Sequence, residues 1–418
     1  MTPPTARLPA PQRRALIVDA ATDVFMKVGY RAASLRDIAS HAGISHTALR
    51  RHFASKGDIL LAIHEQYEAD TLAALSGRGE LTVDEWMIAL ADEASSRPDR
   101  LQVFTALVGE GTSPTHPAHD AARRSYEARL EAFSAGLERG VAEGVVAATR
   151  ATRSQAARFL ALWNGAQLLQ QYLPAVVHTP QLIRDETAII RQPALPVRDP
   201  GSGATRPLTD ALPPGTSRRD GILDTATSLL LAHGYSGTSM QAFAAAAGIA
   251  KATLFHHYPT KDDLVRAVLH RSADMVNALS DGTRAIRGAE RLHAIPAQWR
   301  AVCAGAAELV NLHVVLSAEA SSAGHPLHEG FREHFATLID CSTRAFTDAE
   351  RDGQLRSLRE PRVEAIRLVA LWEGLQLISR FDASIDVAAE ITAHLSEVLI
   401  DPAEDRRSSQ APDRNPDA

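Results

Sequence analysis

Little in this chain of 418 residues suits covalent or metal chemistry. It has two cysteines, Cys303 and Cys341, both in the second half. Their spacing forms neither a metal-binding pattern nor a disulfide framework, so they read as small buried hydrophobic residues. Aromatic residues are 5% of the chain, while Ala, Leu and Arg are abundant, which favours helix over sheet. No apolar run approaches the roughly 18 residues of a membrane span. The opening MTPPTARLPAPQRR lacks the apolar core of a signal peptide, so a cytoplasmic protein without a membrane partner is expected. No GxSxG, HExxH or Walker pattern occurs, and the pairs Gly109/Gly111 and Gly201/Gly203 do not complete a phosphate-binding loop. The expectation is therefore no enzyme, no catalytic residue, no metal and no cofactor. The formal net charge of −6 excludes a chain-wide basic field.

What is present is a repeat. The segment 13–63 aligns without a gap to 218–268 at a constant shift of 205, matching Gly29-Tyr30 to Gly234-Tyr235, Ser34 to Ser239 and Gly43-Ile44 to Gly248-Ile249. Leu49, His52 and Lys56 likewise match Leu254, His257 and Lys261. Further landmarks recur at a shift of 209: His116-Pro117-Ala118-His119 with His325-Pro326-Leu327-His328, and Trp163-x-Gly165-x-Gln167 with Trp372-x-Gly374-x-Gln376. Two copies of one whole module are implied, and a repeat of this size sets the architecture before any local argument. A composition of 45% hydrophobic and 22% charged residues is that of globular domains.

Apolar spacing and caps then organise each copy. A helix from about Arg13 ends at Gly29, and Ser34 with Asp37 opens a short helix as a capping box. Gly43 turns the chain into a second short helix from about His46 to Phe53, and a longer helix runs from Lys56 to about Leu75. Thr82 with Glu85 starts a helix reaching about Ser96. Pro98, the stretch 112–117 and Pro174 punctuate the later helices, and Thr179-Pro180 reads as an N-cap with proline at the first helical position. Residues 192–217 are rich in Pro, Gly, Ser and Thr and read as a linker of about 28 Å if flexible. The resulting division is an arm at 1–10, a helix-turn-helix unit at 11–63, a helical domain at 64–191, the linker at 192–217, a second helix-turn-helix unit at 218–268, a second helical domain at 269–400 and a tail at 401–418.

A short helix, a glycine turn and a second short helix make a helix-turn-helix, whose second helix fits the major groove of DNA. The first copy offers Ser45, His46, Thr47, Arg50 and Arg51 there, and the second offers Lys251, Thr253, Phe255 and His256. Ser34, Ser239, Lys56 and Lys261 stand at helix starts suited to phosphate contacts, and Arg36 could reach a base or a phosphate where its counterpart is the neutral Gln241. The segment 13–63 holds eight Lys/Arg against four Asp, and 218–268 holds five against four, so the local basic excess is unequal. Leu49, Leu254, Phe53 and Tyr258 read as core, as do His52 and His257. His116 and His119 with Glu110, and His325 and His328 with Glu319, bring metal ligation to mind, but each pair sits at a helix start without a third ligand at fixed spacing.

At these residues the chain resembles the TetR family of transcriptional regulators. The residues that carry the resemblance are Gly29-Tyr30, Ser34…Ile38-Ala39, Gly43-Ile44-Ser45, Ala48-Leu49…His52-Phe53 and Lys56, and again Gly234-Tyr235, Ser239…Phe243-Ala244, Gly248-Ile249, Thr253-Leu254…His257-Tyr258 and Lys261. Arg50 stands where the family usually has an aromatic residue, and Phe255 lacks the hydroxyl of the usual tyrosine. The resemblance implies an all-α chain of two modules, each a three-helix DNA-binding domain followed by a helical ligand-binding and dimerisation domain. It implies a DNA operator and a small apolar effector as partners, with Trp163, Gln167, Trp372 and Gln376 as candidates to line effector pockets. Because one chain supplies both modules, an intrachain pseudo-dimer that reads two unlike half-sites is expected, with a homodimer of the whole chain as a further possibility. The function implied is a ligand-responsive repressor. The alternative is a helical ligand-sensing or interaction protein in which one or both helix-turn-helix units no longer bind DNA.

Overall fold

The computed structural model describes residues 9–28, 30, 33–96, 105, 108, 109, 111, 112, 119–197, 218–280, 286–356 and 360–400. Most of the expected arm (1–8 of 1–10), most of the linker (198–217), the tail (401–418), Gly29, Pro98, Glu110 and His116 lie outside the described residues. Among those described, every extended element is a helix, apart from one isolated bridge between Leu355 and Leu399. No single helix among them is long and apolar enough to cross a membrane.

The first half runs α1 Ala10–Val28, α2 Leu35–His41, α3 His46–Arg50, α4 Lys56–Ser76, α5 Val83–Ser95, α6 His119–Ala142, α7 Thr152–Tyr172 and α8 Thr179–Ile190. The second runs α9 Arg218–His233, α10 Met240–Ala246, α11 Lys251–His257, α12 Lys261–Ser280, α13 Gly288–Glu319, α14 His328–Arg351, α15 Pro361–Ile378 and α16 Val387–Val398. Helix α1 starts at Ala10, inside the expected arm, because Pro11 is tolerated in a first turn whose N–H groups have no intrahelical acceptor. The opening of α8 also differs from expectation: His178 holds the N-cap position, and Thr179 is already helical.

The capping boxes read at Ser34 and Thr82 form, and α4 opens on a further one that was not read. In α2 and α4, Ser34 and Ser55 accept from the backbone N–H of Asp37 and Asp58, and those carboxylates accept from the serine N–H groups in return. Gly43 and Gly248 have φ of +65° and +64°, the left-handed conformation that the tight turn requires and that side chains resist. Among the described residues, Ile17, Ile38, Leu49, Phe53 and Ile59 belong to a core confined to the first helix-turn-helix unit. Leu254, Phe243 and Tyr258 of the second unit join a core continuous with both helical domains.

The two halves pack on each other through α7 and α15. The crossing is reciprocal: a Cβ on Gly165 would fall on the Ala370 carbonyl oxygen, and one on Gly374 would fall on that of Ala161. Glycine is thus required at both positions by the approach of backbone to backbone. Reciprocity extends to the flanks. Tyr172 of the first half stacks on His328 of the second at 4.8 Å and packs on Phe335, while its counterpart Phe381 lies 6.0 Å from His119 and stacks on Tyr126. The repeated histidines have a second tie. His119 Nδ1 lies 2.7 Å from the Gly111 carbonyl and His328 Nδ1 3.0 Å from that of Ala320, fastening each helix start to the preceding turn. These histidines hold packing together, and no cluster of three or more potential metal ligands occurs among the described residues.

Candidate nucleic-acid interface

Each helix-turn-helix unit is built by burying one face of its short helices and exposing the other. Leu49 and Leu254 are 0% exposed, and Phe53 and Tyr258 are 3% exposed, so these residues anchor α3 and α11 to the unit beneath. Arg14 lies over the Phe53 ring at 4.8 Å, and its counterpart Arg219 lies over Tyr258 at 5.8 Å, closing both units in the same way. The outward faces then carry Ser45, Thr47, Arg50 and Arg51 in the first unit and Lys251, Phe255 and His256 in the second, all exposed, with His46 and Thr253 half-buried. Lys251 Nζ sits 5.5 Å above the Phe255 ring, so that exposed aromatic carries a cation on its face. Arg36 and Gln241 are exposed on α2 and α10. His52 is half-buried, whereas His257, expected in the core, is exposed, because α11 extends to residue 257 and carries it outward.

Four residues expected at phosphates are engaged differently. Lys56 Nζ donates to the carbonyls of Tyr30 (2.6 Å) and Ala33 (2.8 Å), and Lys261 Nζ donates to those of Tyr235 (3.0 Å) and Thr238 (3.2 Å). Each ammonium also lies over the tyrosine ring it fastens, at 4.4 Å and 3.9 Å. Both lysines therefore lace the loop before α2 or α10 to the start of the next long helix. Burial lowers the Lys261 pKa, opposed by Glu319 and Asp262. Ser34 Oγ donates to Asp37 Oδ2 at 2.6 Å, a bond that holds the exposed Asp37 carboxyl below its ordinary pKa. That carboxylate repels a phosphate at the start of α2. Ser239 has Ala242 in the matching place, so it caps α10 with no carboxylate beside it. The more basic first copy is thus the less suited to a phosphate at this position.

One residue that the sequence suggested only as a metal ligand has a clear role. The Glu319 carboxylate, at the end of α13, accepts from the backbone N–H of Tyr235 (2.7 Å) and Ser236 (2.8 Å). It ties the second helical domain to the loop leading into α10. His325 packs edge-on against Tyr235 at 4.7 Å, and burial holds its pKa below the ordinary imidazole value. The sequence signal was the acid preceding the HPxH landmark by six residues in both copies.

The effector candidates lie on the two helices that cross between the halves. Trp163 and Gln167 are buried on α7, with Trp163 facing Phe159 at 6.2 Å. Trp372 packs edge-on against Trp299 at 4.7 Å, and Gln376 Nε2 is 3.5 Å from the Trp372 carbonyl. The crevice between the halves is lined instead by Arg158, Leu162, Glu186, Arg367, Leu371 and His394, among others. Gln167 is distinct from its counterpart: it is 1% exposed, and neither atom of its amide meets a hydrogen-bond partner.

Paired three-helix units with exposed, unlike second helices define a tandem helix-turn-helix protein. Comparison with known proteins places the family. The model described as "Bacterial regulatory proteins, tetR family" matches residues 17–63 and again residues 222–268. Both helix-turn-helix units of the chain, in tandem, thus match the TetR family. It is 35% identical over 78 residues to the HTH-type transcriptional activator FasR of Mycolicibacterium smegmatis, a match covering 19% of this chain and 36% of that relative's length. Among solved structures it is similar to a TetR-family transcriptional regulator from Agrobacterium tumefaciens, at 24% identity and a TM-score of 0.39 over 44% of this chain and 97% of the other. It is also similar to reduced E. coli NemR, at 22% identity and a TM-score of 0.38 over 44% of this chain and 98% of the other.

Proposed function

We propose that this chain is a DNA-binding transcriptional regulator whose two halves act together as a pseudo-dimer on an operator with two unlike half-sites. The observation that carries this reading is the pair of exposed recognition faces on one internally packed chain, Arg50 and the C-cap residue Arg51 of α3 against Lys251, Phe255 and His256 on α11. Arginine can bridge guanine O6 and N7 in the major groove, and a base read in this way contributes about 1–3 kcal/mol of discrimination. Faces this different favour different bases.

Control by a small, largely apolar effector fits the helical domains. Gln167 supports this, because a buried amide without partners is destabilising by about 1–3 kcal/mol until something satisfies it. A ligand shifts operator binding only through its unequal affinity for the bound and free conformers. Repression results where the occupied operator overlaps a promoter. The similar protein FasR is named as an activator, and in this reading the sign of regulation depends on where the operator lies.

Selection of bound sequences from a random DNA pool, with native mass spectrometry of the selected complex, tests the reading. The expected result is an asymmetric site carrying one chain. A two-fold palindrome carrying two chains overturns the pseudo-dimer, and the absence of any enriched site overturns DNA binding.

A further inference from the structure

We infer that the face joining the two halves is charge-coded for an unlike partner, so that each half accepts the other and rejects a copy of itself. The inference rests on the pairing of halves within the chain and requires nothing of DNA binding.

The close-packed centre of the interface cannot choose partners. Gly165 and Gly374 are equivalent positions, as are Ala161 and Ala370, so any pairing of halves reproduces that crossing. The charged flank is different. Arg367 of α15 reaches across to Glu186 of α8 at 2.5 Å and also holds Glu364 of its own helix at 3.1 Å. Arg150 reaches Glu397 of α16 at 2.9 Å. Arg158 lies 3.7 Å from Glu397 and 3.8 Å from Glu390, and Ser154 Oγ donates to Glu390 at 2.9 Å. The side chains of Arg150, Arg367 and Glu364 are each 2% exposed, so the network is screened little by solvent.

The repeat shows what a like pairing would bring together. At the shift of 209, Arg158 corresponds to Arg367 and Gln155 to Glu364. Helices α8 and α16 match at a shift of 208, because the Ala147 N–H donates to the Ile190 carbonyl where the Arg356 N–H donates to that of Val398. Glu390, His394 and Glu397 therefore stand where the first half has Leu182, Glu186 and Ile189. The unlike pairing sets Arg150, Arg158 and Arg367 against Glu186, Glu364, Glu390 and Glu397, with His394 Nε2 3.9 Å from Glu364. Two first halves would bury four arginines against two carboxylates. Two second halves, with Arg359 standing where the first half has Arg150, would set four arginines against six carboxylates. An ionised group left buried without its partner is strongly destabilising, so both like pairings are disfavoured by charge while the shared glycine crossing supplies attraction to all three.

The test uses full-length chains without DNA, so its outcome is separate from that of operator selection. Three variants are made: R150E/R158E, E390R/E397R, and the chain carrying all four reversals. Each one-sided variant is expected to lower Tm by at least about 5 °C, and the four-reversal chain to return within about 2 °C of the parent. Mixing the two one-sided variants places matched faces on different chains. A species of about 90 kDa, twice the 45.0 kDa chain, is expected by light scattering in the mixture and not in either variant alone. Losses that simply add in the four-reversal chain overturn the inference, as do one-sided variants that self-associate as readily as they pair with each other. Should either one-sided variant fail to fold, recovery of the four-reversal chain still decides the matter.

Discussion

Lys56 and Lys261 have structural work in the fold beside the phosphate contact expected of them. Position and charge suggest phosphate, but each ammonium already donates to two carbonyls of the preceding loop. Bonds from a charged donor stabilise by about 1.5–3 kcal/mol, and removing the donor leaves two carbonyls to find new partners. Lys56→Met and Lys261→Met are therefore expected to lower unfolding stability by about 1–3 kcal/mol each in urea titration, with little change in the salt dependence of DNA binding. Arg51→Ala is expected to do the reverse: stability holds, and the slope of log affinity against log salt falls by roughly 1 as a phosphate contact is lost. A full unit lost from the slope in Lys56→Met, with stability unmoved, would return the lysine to the DNA. Ser34 carries the same lesson. Its role as a cap was readable from Asp37 three residues on, and the hydroxyl already donates to that carboxylate.

At the scale of elements, the helices were legible because their signals are local. Capping boxes, glycine turns and apolar spacing set the bounds of α2, α3, α4 and α5 within a few residues. What helices do to one another was not legible, because contacts such as Glu319 with the Tyr235 N–H join residues far apart in sequence and leave no local pattern. The same holds for the histidines of the second helical domain. His313 of α13 lies 3.0 Å from Glu373 of α15, and the rings of His313 and His334 of α14 are 5.3 Å apart. Burial pulls the His313 pKa down, but the Glu373 charge and hydrogen bond outweigh it, and the pKa is raised. Burial and the neighbouring His313 push His334 down to about 4. The two shifts act on opposite sides of the unfolded imidazole value of about 6.5. Between pH 4 and 6.5 the unfolded chain binds a proton at His334 that the folded chain does not, so stability rises with pH. Above 6.5 the folded chain holds a proton at His313 that the unfolded chain has released. The His313 contribution is thus full below 6.5 and is lost as pH rises through the raised value. Urea midpoints are expected to peak near pH 6.5, with His334→Gln flattening the acid limb and His313→Gln the alkaline one. An alkaline limb unchanged in His313→Gln would show that the Glu373 pair does not titrate there.

For the whole molecule, the repeat announced two modules, and the equivalences at a shift of 209 survive in three dimensions as reciprocal contacts around Gly165 and Gly374. The inequality of the copies is the harder property to read. Net charge made the first unit look the better DNA binder, yet the start of α2 carries Asp37 while the start of α10 carries Ala242. If the two units read DNA separately and are fixed by one interface, the recognition face becomes exchangeable without disturbing the pairing. Leu49 and Leu254 are the same residue at the same buried position, so the exchange leaves the anchor of α11 intact. Replacing Ala250→Ser, Lys251→His, Ala252→Thr, Thr253→Ala, Phe255→Arg and His256→Arg, together with Gln241→Arg, gives the second unit the face of the first. Selection from random DNA is then expected to return a two-fold palindrome of the first half-site, still bound by one chain. The spacing between half-sites should stay that of the parent operator, since it is set by α7 against α15 and not by the recognition helices. Enrichment of the original asymmetric site by this chain would mean that α11 does not read the second half-site. A palindrome bound by two chains would mean that the unit acting on DNA is assembled between molecules rather than within one.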